Sequence, residues 1–356
     1  MPEERIPPCP WVLTQSQRFA PAGPHVVVLD ENARVAHYAA FLEAPETTFV
    51  TNRWTVLEEF EGAGARVAFS DLDLATYPAG SVSAVFFRVA KEKALVHHVI
   101  NSSARMLADG GTLHICGLRR EGIKTYIEKA GALFQGKKHV KTTRVGARCG
   151  VLTKRGKVRP ADLLPDDDYT CLRPVGIAPE LTMHTKPGIF GWRKEDPGSA
   201  LLASVADIPS GCSVLDLGCG YGYLAIRASQ KGAAEVWATD SNAAAISACQ
   251  HNYKAFGVSG EVLAGDCGDT VERTFDIVLC NPPFHEGFQV SSELTGKFLG
   301  AIVRLLDAKG VAFVVVNSFI MLEKAAKTVF TDIDTVTDNG KFKVVRLTQG
   351  TQPCTT

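Results

Sequence analysis

Apolar residues fall along the chain in short unbroken runs, and between the runs they recur at helical spacing. Residues 25–29, 47–51, 66–69, 82–87 and 112–116 read as strands, and 33–42, 54–60 and 91–107 as helices. Such alternation predicts a parallel sheet covered by helices. The second half repeats the order. Strands are expected at 213–217, 235–239, 261–264, 276–280 and 311–316, with a helix beginning near Ala200 and another over 291–306. Turns match as well: Asp109-Gly110-Gly111 stands where the second half has Ala308-Lys309-Gly310. The pattern implies an internal duplication, two Rossmann-like α/β domains in tandem. The second should carry seven strands, the last (342–347) antiparallel and joined to 335–338 through Asn339-Gly340.

The expected boundaries are 1–160 for the first domain, 161–185 for a linker and 186–356 for the second. Residues 1–24 hold six prolines and little periodicity, which predicts an irregular arm. The stretch 154–187 is rich in Pro and Asp and reads as a linker or a small crossover element. Ser199 is the expected N-cap of the helix that follows it.

Net charge is zero and argues for no partner, but its distribution does. Residues 117–159 hold thirteen Lys/Arg against two acids, a local charge of +11, and the remainder carries −11. Such a stripe suits a polyanion, the alternative being a solvated face. Arg119, Arg120, Lys124, Lys137, Lys138, Lys141, Arg144 and Arg148 are the expected RNA contacts, acting through phosphates with salt-dependent affinity. Few aromatics interleave them, so base stacking is not expected there. The ten cysteines show no Cys-x-x-Cys spacing, and no metal site is expected. The first residues lack a signal-peptide pattern, and no stretch approaches the roughly 20 apolar residues of a membrane span. A cytoplasmic monomer is the expectation.

Chemistry concentrates in two stretches. The apolar strand 213–217 runs into Gly218-Cys219-Gly220-Tyr221-Gly222, where small residues let backbone and helix N-terminus face a ligand. A glycine turn alone is shared with dinucleotide enzymes. Asp240, followed by Ser241, ends the next strand, where a carboxylate can accept both ribose hydroxyls. Asp266, followed by Cys267, comes after the third, in place for an adenine amino hydrogen. Asp216 would face the ammonium of a methionine moiety. The set implies S-adenosylmethionine (SAM).

The second stretch is Asn281-Pro282-Pro283-Phe284 at the end of the fourth strand. An aromatic amine is a poor nucleophile because its lone pair is delocalised into the ring. If the Asn281 side-chain oxygen and the Pro282 carbonyl accept its hydrogens, the lone pair is aimed at the methyl donor by orientation and fixed dipoles. The prolines pre-aim both acceptors. Phe284 can stack on a flat base that has left its helix, and His285 is placed for a substrate phosphate. Asn281 also borders the cofactor. The first half has Asp30-Glu31-Asn32 in place of the glycine turn and Arg88-Val89-Ala90-Lys91 in place of Asn-Pro-Pro-Phe, so it is expected to be catalytically dead.

Residues 184–348 resemble the guanine-N2 ribosomal RNA methyltransferases with a duplicated fold. That group includes methyltransferase C of the small ribosomal subunit and methyltransferase G of the large one. The matching stretches are Lys186-Pro-Gly-Ile-Phe190, Asp196-x-Gly-Ser199, Val214-Leu-Asp-Leu-Gly-Cys-Gly220, Asn281-Pro-Pro-Phe-His285 and Gly340-Lys-Phe-Lys-Val344. The likeness continues more weakly over 120–150, and the first 110 residues share only the layout. It implies a SAM-dependent enzyme acting on ribosomal RNA or a ribosomal subunit, first of all the small-subunit 16S RNA, with 23S RNA as alternative. It further implies that Phe190 and Ser199 help wall the cofactor and that the first domain holds RNA. The stretch Gly191-Trp192-Arg193-Lys194 departs from the shorter polar run that the family often has. DNA adenine-N6 or protein glutamine methylation stays open, since both use Asn-Pro-Pro-aromatic. So does a non-enzymatic SAM-binding assembly factor.

Overall fold

Runs of β-branched and aromatic residues become the central strands, because such side chains pack well on both faces of a pleated sheet. The computed structural model describes residues 7–144, 146–283 and 292–349, and it divides between Cys171 and Leu172 into two units. In the first unit the strands are β1 (His25–Val28), β2 (Thr47–Thr51), β3 (Val67–Phe69), β4 (Val82–Arg88), β5 (Leu107–Leu118), β6 (Gln135–Thr142) and β7 (Ala147–Lys154). Its helices are α1 (Pro8–Ser16), α2 (Val35–Leu42), α3 (Trp54–Gly62), α4 (Lys93–Met106) and α5 (Ile123–Phe134). The sheet order is β3-β2-β1-β4-β5-β7-β6, with β7 antiparallel to both neighbours.

The second unit opens with a hairpin, β8 (Arg173–Ala178) and β9 (Leu181–Thr185), followed by α6 (Pro197–Val205). Then come β10 (Ser213–Leu217), α7 (Tyr223–Gln230), β11 (Glu235–Asp240), α8 (Ala243–Phe256), β12 (Val262–Ala264) and β13 (Phe275–Cys280). The chain ends with α9 (Ser292–Leu305), β14 (Leu306–Asn317), α10 (Leu322–Ala326), β15 (Asp332–Asp338) and β16 (Phe342–Thr348). The order is β12-β11-β10-β13-β14-β16-β15, with β16 antiparallel to β14 and β15. It is the same seven-strand order as in the first unit. The duplicated α/β architecture with a late antiparallel strand is therefore present in both halves.

Side-chain alternation places the core on both faces of each sheet. Val214 packs with α7 and α8 while Leu215 and Leu217 pack with α9. In the first unit Val27 and Leu29 face α1 to α3, and Val26 and Val28 face α4 and α5. Open α/β sheets place ligands at the carboxyl ends of the strands where the order reverses. In the second unit that point is the crevice beyond β10 and β13.

Two expectations are corrected. Residues 1–24 are not an irregular arm throughout, since α1 occupies Pro8–Ser16. Proline at a first helical position costs no hydrogen bond, and Cys9, Val12, Leu13 and Ser16 form a buried stripe at helical spacing. The stretch 161–185 is also not a plain linker. Tyr169 is buried in the first unit's core, and β8 and β9 bring Ile177, Leu181 and Met183 into the second unit's core.

Candidate active site

The site is built outward from the end of β10. Asp216 is 1% exposed. One carboxylate oxygen, Oδ2, accepts the Ala225 backbone N–H at 3.0 Å, while Oδ1 has no hydrogen-bond partner. Burial, only partly offset by that N–H, pushes the Asp216 carboxyl up to about 7. A half-satisfied buried acid is costly unless a donor or a cation completes it.

The turn after β10 is left-handed at Gly218, Gly220 and Gly222, with φ of 83°, 54° and 87°. Only glycine adopts this repeatedly without strain. Beside Gly218 and Gly220 a Cβ would meet nothing within 4 Å, so their backbone faces open space. At Gly222, the N-cap of α7, a Cβ would come within 2.8 Å of Cys249 Sγ, and this end of the turn is packed onto α8. The turn is braced from β11: Gly218 and Cys219 donate to the Thr239 carbonyl at 2.9 and 3.0 Å, and Gly220 N–H donates to Asp240 Oδ2 at 2.9 Å. Asp240 Oδ1 accepts the Asn242 N–H at 2.9 Å. Asp240 thus uses both carboxylate oxygens to brace the turn and the start of α8. Ser241 beside it is half-buried.

Asn242 was not singled out from sequence. Its side chain caps α8 through Ala244 N–H at 3.1 Å and donates to the Gly188 carbonyl at 3.0 Å, tying the segment 186–190 to the end of β11. Lys186 within that segment is buried, whereas Phe190 is 59% exposed. The departure at 191–194 is a turn in which Lys194 N–H donates to the Gly191 carbonyl at 3.3 Å. Its Trp192 is half-buried between Arg173 and Arg193. Asp266 lies just beyond β12 and forms an ion pair with Lys297 of α9, which competes for its carboxylate. Cys267 is a non-glycine residue with φ of 51°, and burial pushes its thiol up to about 12.

Asn281 stands at the end of β13, and both of its amide hydrogens are committed to the start of α6. Nδ2 donates to Asp196 Oδ2 at 3.0 Å and to Ser199 Oγ at 2.8 Å. This commitment leaves Oδ1 as the acceptor for a substrate. Asp196 Oδ2 also accepts Ser199 N–H at 2.8 Å, which makes Asp196, not Ser199, the N-cap of α6. The correction has a plain cause: Pro197 suits the first helical position, so the cap falls on the residue before it. Ser199 therefore touches Asn281 through its hydroxyl. The Asp-x-x-Ser spacing was visible in the sequence, but nothing local links it to a residue 85 positions away. Pro282 is buried and Pro283 exposed, while Phe284 and His285 lie outside the described residues.

This crevice combines a glycine turn with three acids at successive strand ends, and a methyltransferase-type fold carries it. The Methyltransferase small domain family matches residues 180–346. The Ribosomal RNA small subunit methyltransferase C of Erwinia tasmaniensis is 30% identical over 257 residues, covering 72% of this chain and 72% of that protein. The Klebsiella pneumoniae protein of the same name is 31% identical over 245 residues, covering 68% of each. The chain belongs to the ribosomal RNA small subunit methyltransferase C family. Among solved structures, the T. thermophilus 16S rRNA N2 G1207 methyltransferase, in complex with AdoMet and guanosine, superposes with a TM-score of 0.84. It is 24% identical, and the match covers 98% of this chain and 93% of that one, so both units of this family member share its fold.

The eight basic residues expected to meet RNA all lie in the first unit. Arg119 and Arg120 form an exposed turn after β5, and Lys124 pairs with Glu128 at 3.9 Å on α5. Lys137, Lys138 and Lys141 are exposed on the edge strand β6, Arg144 is exposed in the turn beyond it, and Arg148 donates to Thr142 Oγ1 at 3.2 Å. Among the described residues no group of His, Cys, Asp or Glu is arranged to hold a metal ion. No described helix is long and apolar enough to cross a membrane.

Proposed function

We propose that this chain transfers the methyl group of SAM to the exocyclic N2 amine of a guanine in 16S ribosomal RNA. The observation that carries the reading is the tethered Asn281 amide, whose Nδ2 is held by Asp196 and Ser199, which leaves Oδ1 to act as the acceptor. The residues present fit the cofactor: Asp216 offers an unpaired buried carboxylate oxygen to an ammonium, Asp240 stands at the end of β11, where a carboxylate would meet ribose hydroxyls, and Gly218 and Gly220 leave open backbone beside them. Asp266, shared with Lys297, would take the adenine amino group. Phe190 supplies an exposed ring for the cofactor wall. When bound, SAM supplies an electrophilic methyl group on a sulfonium centre.

The chain's own residues do the rest by orientation. Asn281 Oδ1 and the Pro282 carbonyl accept the two amine hydrogens, drawing the nitrogen out of conjugation and fixing its lone pair. Neither group is a base, and the proton leaves only after transfer has made the nitrogen acidic. Phe284 and His285 are proposed to stack on the base and to meet a phosphate. Lys and Arg of the first unit are proposed to hold RNA through its phosphates. Names carried by relatives agree: one is a 16S rRNA N2 methyltransferase solved with AdoMet and guanosine. We further propose a monomer that works in the cytoplasm on ribosomal RNA.

The test is transfer of labelled methyl to separated small subunits, large subunits, free ribosomal RNA and DNA from unmodified sources. N2-methylguanosine confined to small-subunit RNA is the expected product by nucleoside mass spectrometry. Asn281→Ala should lose at least about 100-fold in transfer with SAM affinity unchanged. N6-methyladenine in DNA, or full activity in the Asn281 variant, would sink the reading.

A further inference from the structure

The tertiary structure brings aromatic rings to the basic edge of the first unit. Trp11 of α1 is 42% exposed although its neighbours Cys9, Val12 and Leu13 are buried, so a pinned helix holds this ring outward. Phe19, in the turn after α1, is 45% exposed. Both sit against one face of β6. Lys141 Nζ lies 5.2 Å from the centre of the Trp11 ring, and the His139 ring meets Phe19 edge-on at 5.4 Å. Arg18 covers Phe19 with its guanidinium at 4.8 Å. His139 and Lys141 are two residues apart and share a face, about 7 Å from each other. Lys138 points the other way, towards Gly131 of α5.

We propose that this face of β6 is a docking surface for an unpaired stretch of RNA, with Trp11 and Phe19 as stacking platforms and Lys141 and Arg18 as phosphate contacts. Exposed rings interleaved with cations are the pattern that single-stranded nucleic acid requires, since every base has a face to stack and every linkage a charge to neutralise. Paired bases hide those faces, and a duplex is met mainly at its backbone and 2′-hydroxyls. The scarcity of aromatics between residues 118 and 159 argued against stacking, but these rings arrive from residues 11 and 19. A polyanion suits the patch for a second reason: β6 is exposed along its length and carries no acidic residue.

The inference rests on the reading that the chain acts on RNA, and one set of samples separates the two. The full chain and its Trp11→Ala/Phe19→Ala variant are titrated with a short unstructured oligoribonucleotide and with an RNA duplex of equal length, at several salt concentrations. Single-strand affinity should fall about tenfold or more in the double variant, with its salt slope and duplex binding unchanged. Lys141→Gln should instead lower the salt slope by about 1. Trp11→Phe, which keeps a ring, should bind like the parent. If the double variant melts lower but binds single strands like the parent, the rings only staple α1 to the sheet and the proposal falls. Equal losses on single strand and duplex overturn it too. Methyl transfer to ribosomal RNA is measured on the same proteins. A parent that transfers methyl beside an unaffected double variant sinks only the stacking surface. A parent that transfers none sinks the functional reading, leaving the oligonucleotide titration to decide the surface by itself.

Discussion

The two units share one strand order and differ at the few positions where the strands end. Register pairs those positions. Val82 opposes Leu107 in the first unit as Phe275 opposes Leu306 in the second, so Arg88 occupies the place of Asn281. Val28 opposes Phe87 as Leu217 opposes Cys280, which puts Val27 where the second unit has Asp216 and Leu29 where it has Gly218. Thr51 likewise stands for Asp240. Arg88 then closes the space itself. Nη1 approaches Asp30 Oδ2 at 2.9 Å as a charge contact, and Nη2 donates to Glu121 Oε1 at 2.7 Å. Asp30, raised by burial and lowered by Arg88, is held within this cluster. Even the acid that survives, Asp71 in the place of Asp266, accepts the Tyr169 hydroxyl at 3.1 Å. The helices before each first strand diverge in the same way: α1 and α6 both span nine residues with Pro at the start, but Pro7 offers no side-chain cap where Asp196 reaches Asn281. A shared scaffold thus carries chemistry or ionic filler according to a handful of strand-end residues.

The sharpest way to break this contrast is Arg88→Met. Removing the cation leaves Asp30 and Glu121 uncompensated, and the chain should lose about 3 kcal/mol of stability in denaturant unfolding. SAM should still bind with one site per chain by calorimetry, and a second site appearing would show that only Arg88 had disabled the first unit. Next in size is Asp196→Ala. With one of its two tethers removed, the Asn281 amide should lose orientation and slow transfer about 30-fold in kcat. The SAM Kd should stay unchanged and Asp196→Asn should restore part of the rate, whereas a mere helix-cap role would lower the melting temperature and leave kcat intact.

A smaller effect, about tenfold in SAM affinity, is expected from Asp216→Asn, in line with an exchange of a charged for a neutral partner. In the free protein Asp216 is raised to about 7. Between the ordinary carboxylate range and that value the native state keeps a proton that the unfolded chain has released, so this group lowers stability as pH rises through the window. SAM affinity should climb as pH rises through about 7 and the carboxylate ionises. Calorimetry across that range should find the climb in the parent and a flat profile in the Asn variant. Smallest per residue is the basic edge. Lys137, Lys138 and Lys141 exchanged together for Gln should flatten the salt dependence of RNA binding by about 1 unit of slope for each phosphate no longer neutralised. An unchanged slope would return these lysines to a solvated face.

Much of this was legible locally. The duplication, the antiparallel last strand of the second unit, the glycine turn and the Asn281-Pro282-Pro283 strand end each depend on periodicity or on backbone restrictions that a few adjacent residues impose, and these properties travel with the sequence. Asp216, Asp240 and Asp266 could be placed at or beside strand ends from sequence, and strand ends in such sheets point at one crevice. Most helix bounds moved by a residue or two, as frayed ends do, but β5 and β14 begin five residues before the expected strands and take in the expected turns 109–111 and 308–310.

What the folded chain alone decided is which polar groups meet across long separations. Asp196 with Asn281, Arg88 with Asp30 and Glu121, and Trp11 with Lys141 are all pairings between distant segments. Burial determines how strongly each pairing acts, because the same carboxylate that is harmless in water becomes an unmet demand at the end of β10 and a neutralised filler beside Arg88. Pattern specifies the sheet; whether a strand end binds a ligand or is sealed depends on which side chains reach it once the sheet has closed.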